Sequence, residues 1–120
     1  MRTALIYFTG TGNSLAVARL LAAKVSTATI LSVRDMLDRS EFALDVETCG
    51  LIFPVYCQDA PDIVKRLVRQ LQLPSASYIF AVATHNGDVG FSHFSIARIL
   101  RRKGLDLKAG FAVLMPGNSI

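Results

Sequence analysis

Six consecutive residues, Thr9, Gly10, Thr11, Gly12, Asn13 and Ser14, combine two glycines with four short polar side chains. A strand-like apolar run, residues 2–8, precedes them, and helix formers without Gly or Pro, residues 15–25, follow. A glycine-rich turn from strand to helix points its backbone N–H groups at one spot, and the helix start adds roughly half a positive charge there. The glycines permit close backbone approach, while the hydroxyls and the amide add donors. Such a loop holds a phosphate. Leu15 stands where a dinucleotide fingerprint needs its third glycine, and no Gly-Lys-Ser/Thr follows, so neither that motif nor a Walker loop is present. Neutral donors without Lys or Arg suit a monophosphate. The plainer alternative is a turn whose Thr or Asn merely caps the helix.

Two further stretches carry chemistry. Pro54, Val55, Tyr56 and Cys57 begin a loop whose aromatic ring can stack on a flat ring, with backbone amides meeting the ring edge. Thr84, His85, Asn86 and Gly87 open a polar, glycine-bearing loop. His93 falls in the first turn of an expected helix and reads as structural. Cys57 invites a nucleophile reading, yet the residues after it are Gln, Asp, Ala, Pro and Asp, with no Arg to grip phosphate. Cys49 and Cys57 are the only cysteines and lack metal-site spacing, which argues against a disulfide framework or a zinc site.

The elements that must position these residues follow from periodicity. Residues 27–33 read as a second strand, 34–39 as one polar helical turn, and 41–47 as irregular with Phe42, Leu44 and Val46 inward. Residues 51–56 form a buried strand ended by proline. Asp59 then offers an N-cap and Pro61 a first helical position, before apolar residues at helical spacing up to Pro74. Residues 78–83 read as a buried strand, 92–103 as a helix closed by Gly104, and 111–114 as a fifth strand. Strands alternating with helices, with continuous apolar runs, predict one α/β domain over residues 1–120 with a parallel sheet covered on both faces. The loops at Thr9, Pro54 and Thr84 would converge at the carboxyl ends of strands 1, 3 and 4.

Composition bounds the rest. A chain of 120 residues that is 52% hydrophobic holds one core. No apolar run approaches the ~18 residues of a membrane span, and Met1, Arg2 and Thr3 lead straight into a strand, so a cytoplasmic location is expected. Residues 1–60 carry five basic and six acidic side chains; residues 61–120 carry eight and three. Arg101, Arg102 and Lys103 close a helix, either complementing its dipole or docking an acidic partner. Basics without interleaved aromatics argue against nucleic acid.

At its first loop the chain resembles the flavodoxin family, whose phosphate loop for FMN has the form Ser/Thr-x-Thr-Gly-x-Ser/Thr; Thr9, Thr11, Gly12 and Ser14 match it. The segment Phe53, Pro54, Val55 and Tyr56 looks like the loop that cradles the isoalloxazine. It is most similar to flavodoxin-like domains fused to a bacterial ferredoxin, as is the segment Met115, Pro116, Gly117 and Asn118. The resemblance implies a doubly wound sheet of order 2-1-3-4-5 and FMN bound without a covalent link. It also implies a polar edge at Thr84, His85, Asn86 and Gly87, and a redox partner such as a ferredoxin-like domain. The chain departs from the family in being basic, in lacking a cysteine run for an iron–sulfur cluster, and in lacking a last helix after strand 5. Residues 51–53 and 78–82 are apolar on both faces, so a sheet face without that helix would be uncovered. The expectation is a fragment of a longer chain, or self-association. Rival readings are an NAD(P)H-dependent flavin or quinone reductase, and a non-redox module for a phosphate-bearing ligand.

Overall fold

The computed structural model describes residues 2–10 and 12–115. Five strands, β1 (Thr3–Tyr7), β2 (Ala28–Ser32), β3 (Thr48–Pro54), β4 (Tyr78–His85) and β5 (Ala109–Leu114), alternate with four helices. These are α1 (Asn13–Lys24), α2 (Val33–Arg39), α3 (Asp62–Gln70) and α4 (Ser92–Arg102). The strands pair in parallel in the order β2-β1-β3-β4-β5, the expected order.

Register sorts the apolar runs onto two faces. Tyr7, Ile52, Val82 and Phe111 stand side by side on one face, which Leu5 shares two residues earlier on β1, and Ile6, Leu51 and Ala81 stand side by side on the other. Helix α1 covers the first face with Val17 and Ala18. Helices α2, α3 and α4 cover the second through Val33 and Met36, Val64, Leu67 and Val68, and Ile96 and Leu100. The second face is the larger core, and Phe42, Leu44 and Val46 pack against it as expected.

The first face is partly open over β4 and β5, around Tyr78 and Phe111, while Val82 is buried. Helix α1 lies mainly against β1, β2 and β3, with Val82 of β4 at the edge of its cluster, and among the described residues no helix follows β5. Tyr78 and Phe111 are 41% and 52% exposed there, while the Phe80 ring folds over Gly50. Three aromatics thus line an uncovered sheet face, with ring centroids 6.0 Å apart for Tyr78 and Phe80 and 6.3 Å for Phe80 and Phe111.

Several boundaries move. Residues 34–39 extend into the seven-residue α2, because Ser32 caps it by accepting from the Asp35 N–H. Asp59 does not cap α3, which starts behind Pro61; its carboxylate takes the Ala60 N–H and the Lys65 ammonium instead. Strand β4 runs two residues further than residues 78–83, because β5 pairs with it as far as His85. His93 is structural as expected: its Nε2 lies 2.9 Å from the Phe111 carbonyl, and its ring packs on Gly110.

Candidate functional site

Because strand order reverses between β1 and β3, the loops leaving these strands diverge to opposite sides and leave a crevice at the carboxyl end of the sheet. Helix α1 begins there behind Gly12, whose φ of +92° suits glycine. The N-cap position is Gly12, which has no side chain to cap α1, and the first turn holds no acidic residue. The positive end of the helix therefore meets no carboxylate of its own first turn. The Thr9 hydroxyl accepts from the Gly12 N–H at 2.7 Å and folds the loop on itself. Gly10 is exposed, and Asn13 opens the helix. Thr11 lies outside the described residues, as do Pro116, Gly117 and Asn118.

Ser14 does more than face the loop. It is buried, and its Oγ lies 3.3 Å from Oγ1 of Thr84, itself fully buried and 3.5 Å from the Phe53 carbonyl. The start of α1 is thereby tied to the ends of β3 and β4. Thr84 is accordingly a strand residue behind the site and not a wall of the third loop. His85 closes β4, with Asn86 and Gly87 exposed beyond it; the Gly87 N–H donates to His85 Nδ1 at 3.0 Å.

The second loop leans on the first. Pro54 ends β3 buried, and the Val55 N–H donates to the Thr84 carbonyl at 3.0 Å. Tyr56 is 46% exposed, meets Phe8 edge-on at 6.4 Å, and its hydroxyl sits against Gly10. Cys57 is exposed at the tip, in contrast to Cys49, whose thiol is pushed up to about 12 by burial. Both Cys57 and Gln58 hold positive φ, 49° and 64°.

Sequence reasoning missed the clasp between the second and third loops. The Gln58 amide donates to Asp88 at 3.0 Å, and the Phe91 N–H donates to the Gln58 carbonyl at 2.9 Å. A side chain on Gly90 would collide with that carbonyl; only the glycine itself was a visible signal. It also missed Arg34, at the start of α2, whose guanidinium lies 6.0 Å from the Phe8 ring beside the first loop.

The donor set fits a phosphate monoester: a helix start behind a left-handed glycine, neutral hydroxyls, no first-turn acid, and one guanidinium beside Phe8. Asp59 lies at the rim of the second loop. Burial opposes its charge, but the Lys65 ammonium, the Ser95 hydroxyl and the Ala60 N–H outweigh that and hold its carboxyl below the usual carboxylate range. A cleft of about 430 Å³ opens at the other end of the sheet, between Ala43, Leu73 and Leu105, away from these loops. Among the described residues no group of three His, Cys, Asp or Glu could hold a metal, and no helix is long and apolar enough to cross a membrane.

No family model and no curated protein sequence matches the chain. Solved structures do. A flavodoxin from the domain Archaea is similar over 98% of this chain and 88% of its own, at 15% identity and a TM-score of 0.70. A flavoprotein in complex with FMN from Lactobacillus acidophilus covers 92% of each chain, at 11% identity and a TM-score of 0.65. An FMN-dependent NADH-azoreductase from Bacillus anthracis, also in complex with FMN, covers 97% of this chain and 91% of its own, at 11% and 0.57. The chain has the flavodoxin-like fold.

Proposed function

We propose that this chain binds FMN non-covalently and, in the cytoplasm, passes electrons between redox partners, an iron–sulfur domain among them. The observation that carries the reading is the start of α1 behind the left-handed Gly12, tied through Ser14 and Thr84 to the ends of β3 and β4 at the point where strand order reverses. FMN, when bound, supplies the redox chemistry. The chain supplies the rest. Thr9, Gly10, Thr11, Gly12 and Asn13 hold the phosphate with N–H and side-chain donors, and Arg34 adds charge at its edge. Ser14 and Thr84 fix the helix start. Pro54, Val55, Tyr56 and Cys57 give the flat ring a wall, and His85, Asn86 and Gly87 offer donors and acceptors to its polar rim. Likeness to solved flavoproteins that carry FMN supports the cofactor.

Likeness to the NADH-azoreductase favours a second reading, a reductase that oxidises NADH at its own flavin. Two measurements separate these. The purified chain mixed with FMN should show a bound-flavin visible spectrum with quenched fluorescence; an unperturbed FMN spectrum contradicts both readings. In a steady-state assay with NADH and a quinone or dye, the carrier shows no turnover above free FMN, whereas the reductase does.

The open face of β4 and β5 supports one further element: Tyr78, Phe80 and Phe111 are covered by additional chain or by a second copy.

A further inference from the structure

Helices α3 and α4 lie side by side and enclose a groove of about 290 Å³. Lys65 and Arg69 reach it from α3, Arg98 and Arg102 from α4, each pair four residues apart and so on one helix face. Asp59 also lines the groove, but its carboxylate is held by Lys65 at 2.7 Å, and Asp62 turns to the same lysine at 3.4 Å. Among the described residues no salt bridge engages Arg69, Arg98 or Arg102, and Lys103 adds a fourth cation through its bond to the Arg69 carbonyl at 2.8 Å. Helix dipoles account for Arg69 and Arg102, which sit in last turns, but not for Arg98. The groove lining thus sets four cations against the single carboxylate of Asp59, an excess that an anionic ligand offsets.

At its upper end the groove meets the candidate site. Phe91, 52% exposed, donates its N–H to Gln58 of the second loop, and Phe94, 64% exposed, stands one turn before Arg98. The aromatics lie at this end only and do not interleave with the cations, an arrangement that suits carboxylates and an apolar contact better than stacked bases.

We infer that the α3–α4 groove is the docking surface for an acidic protein partner, with a carboxylate-rich segment along Arg69, Arg98 and Arg102 and an apolar contact at Phe91 and Phe94. The partner's redox centre then comes to rest beside the loop cluster. This deepens the carrier reading and rests on it for the purpose of docking, though the surface itself is measurable without flavin.

The test is fluorescence anisotropy with labelled hexaglutamate, titrated with the whole chain in the presence and absence of FMN. Binding should weaken steeply with salt, fall about tenfold or more in Arg98→Glu/Arg102→Glu, and hold in Arg19→Glu/Lys24→Glu, a matched pair of exposed changes on α1. A hexaglutamate tipped with tryptophan should bind more tightly than the plain peptide to the parent chain, and no more tightly to Phe94→Ser. FMN affinity should match the parent in every variant, and the two charge-reversal pairs, each of which puts a glutamate in a last helical turn, should lower Tm alike. Equal loss in both charge-reversal pairs overturns the surface, as does hexathymidylate binding more tightly than hexaglutamate at the same salt. A chain that takes the peptide at this groove but no FMN supports the surface while removing the carrier reading.

Discussion

Thr9 acts twice in this account, as a donor to phosphate and as the acceptor that folds the loop over the Gly12 N–H at 2.7 Å. Thr9→Val keeps the shape and removes both, so FMN affinity should fall by about 1–3 kcal/mol, measured by isothermal titration. An unchanged affinity places phosphate elsewhere. Asp59 gives a pH signature. Its carboxyl titrates below the ordinary value near 3.9, so the bond to Lys65 stabilises the fold fully above about pH 4 and is lost as pH falls through the lowered value. Asp59→Asn should therefore lower the urea midpoint at pH 7 and flatten its fall below about pH 4. A parallel acid limb in parent and variant contradicts this.

At the scale of elements, the loops are as much a matter of clasps as of donors. Gly90 holds a φ of 59° with the Gln58 carbonyl where a side chain would be. Gly90→Ala should cost roughly 1–3 kcal/mol in thermal melting and weaken FMN as well, because the second and third loops must part. Elements with strong apolar periodicity, β1, β3, β4, α3 and α4, were legible from residue type and spacing. Short polar α2 was legible only as a turn, since its stability comes from Ser32 at its cap and from Val33 and Met36 in the core. The glycine- and hydroxyl-rich first loop announced itself through composition. The clasp of Gln58 with Asp88 did not, because it depends on a left-handed backbone at Cys57 and Gln58 that neither residue type signals. Thr84 looked like loop because it is polar; its hydroxyl is buried against Ser14, a pairing seventy residues apart in sequence.

The molecule as a whole is lopsided twice over. One face of β4 and β5 exposes Tyr78 and Phe111, with Phe80 folded back over Gly50. The uncovered face should bind anilinonaphthalene sulfonate, and dynamic light scattering of the 120-residue chain should show self-association that rises with concentration. Phe111→Ser should reduce both; a monomer at all concentrations with no dye response means the face closes in some other way. The apolarity of residues 78–82 predicted the exposure, yet the folding of Phe80 over a glycine on the neighbouring strand depends on register. Charge is lopsided too, with the excess of cations in residues 61–120.

If the start of α1 binds the phosphate of FMN, riboflavin, which lacks that phosphate, should bind far more weakly. Titrating the apoprotein with each flavin, followed by fluorescence quenching, should give FMN at least roughly 100-fold tighter binding, the worth of one or two charge-assisted hydrogen bonds. Equal affinities for FMN and riboflavin would contradict the account.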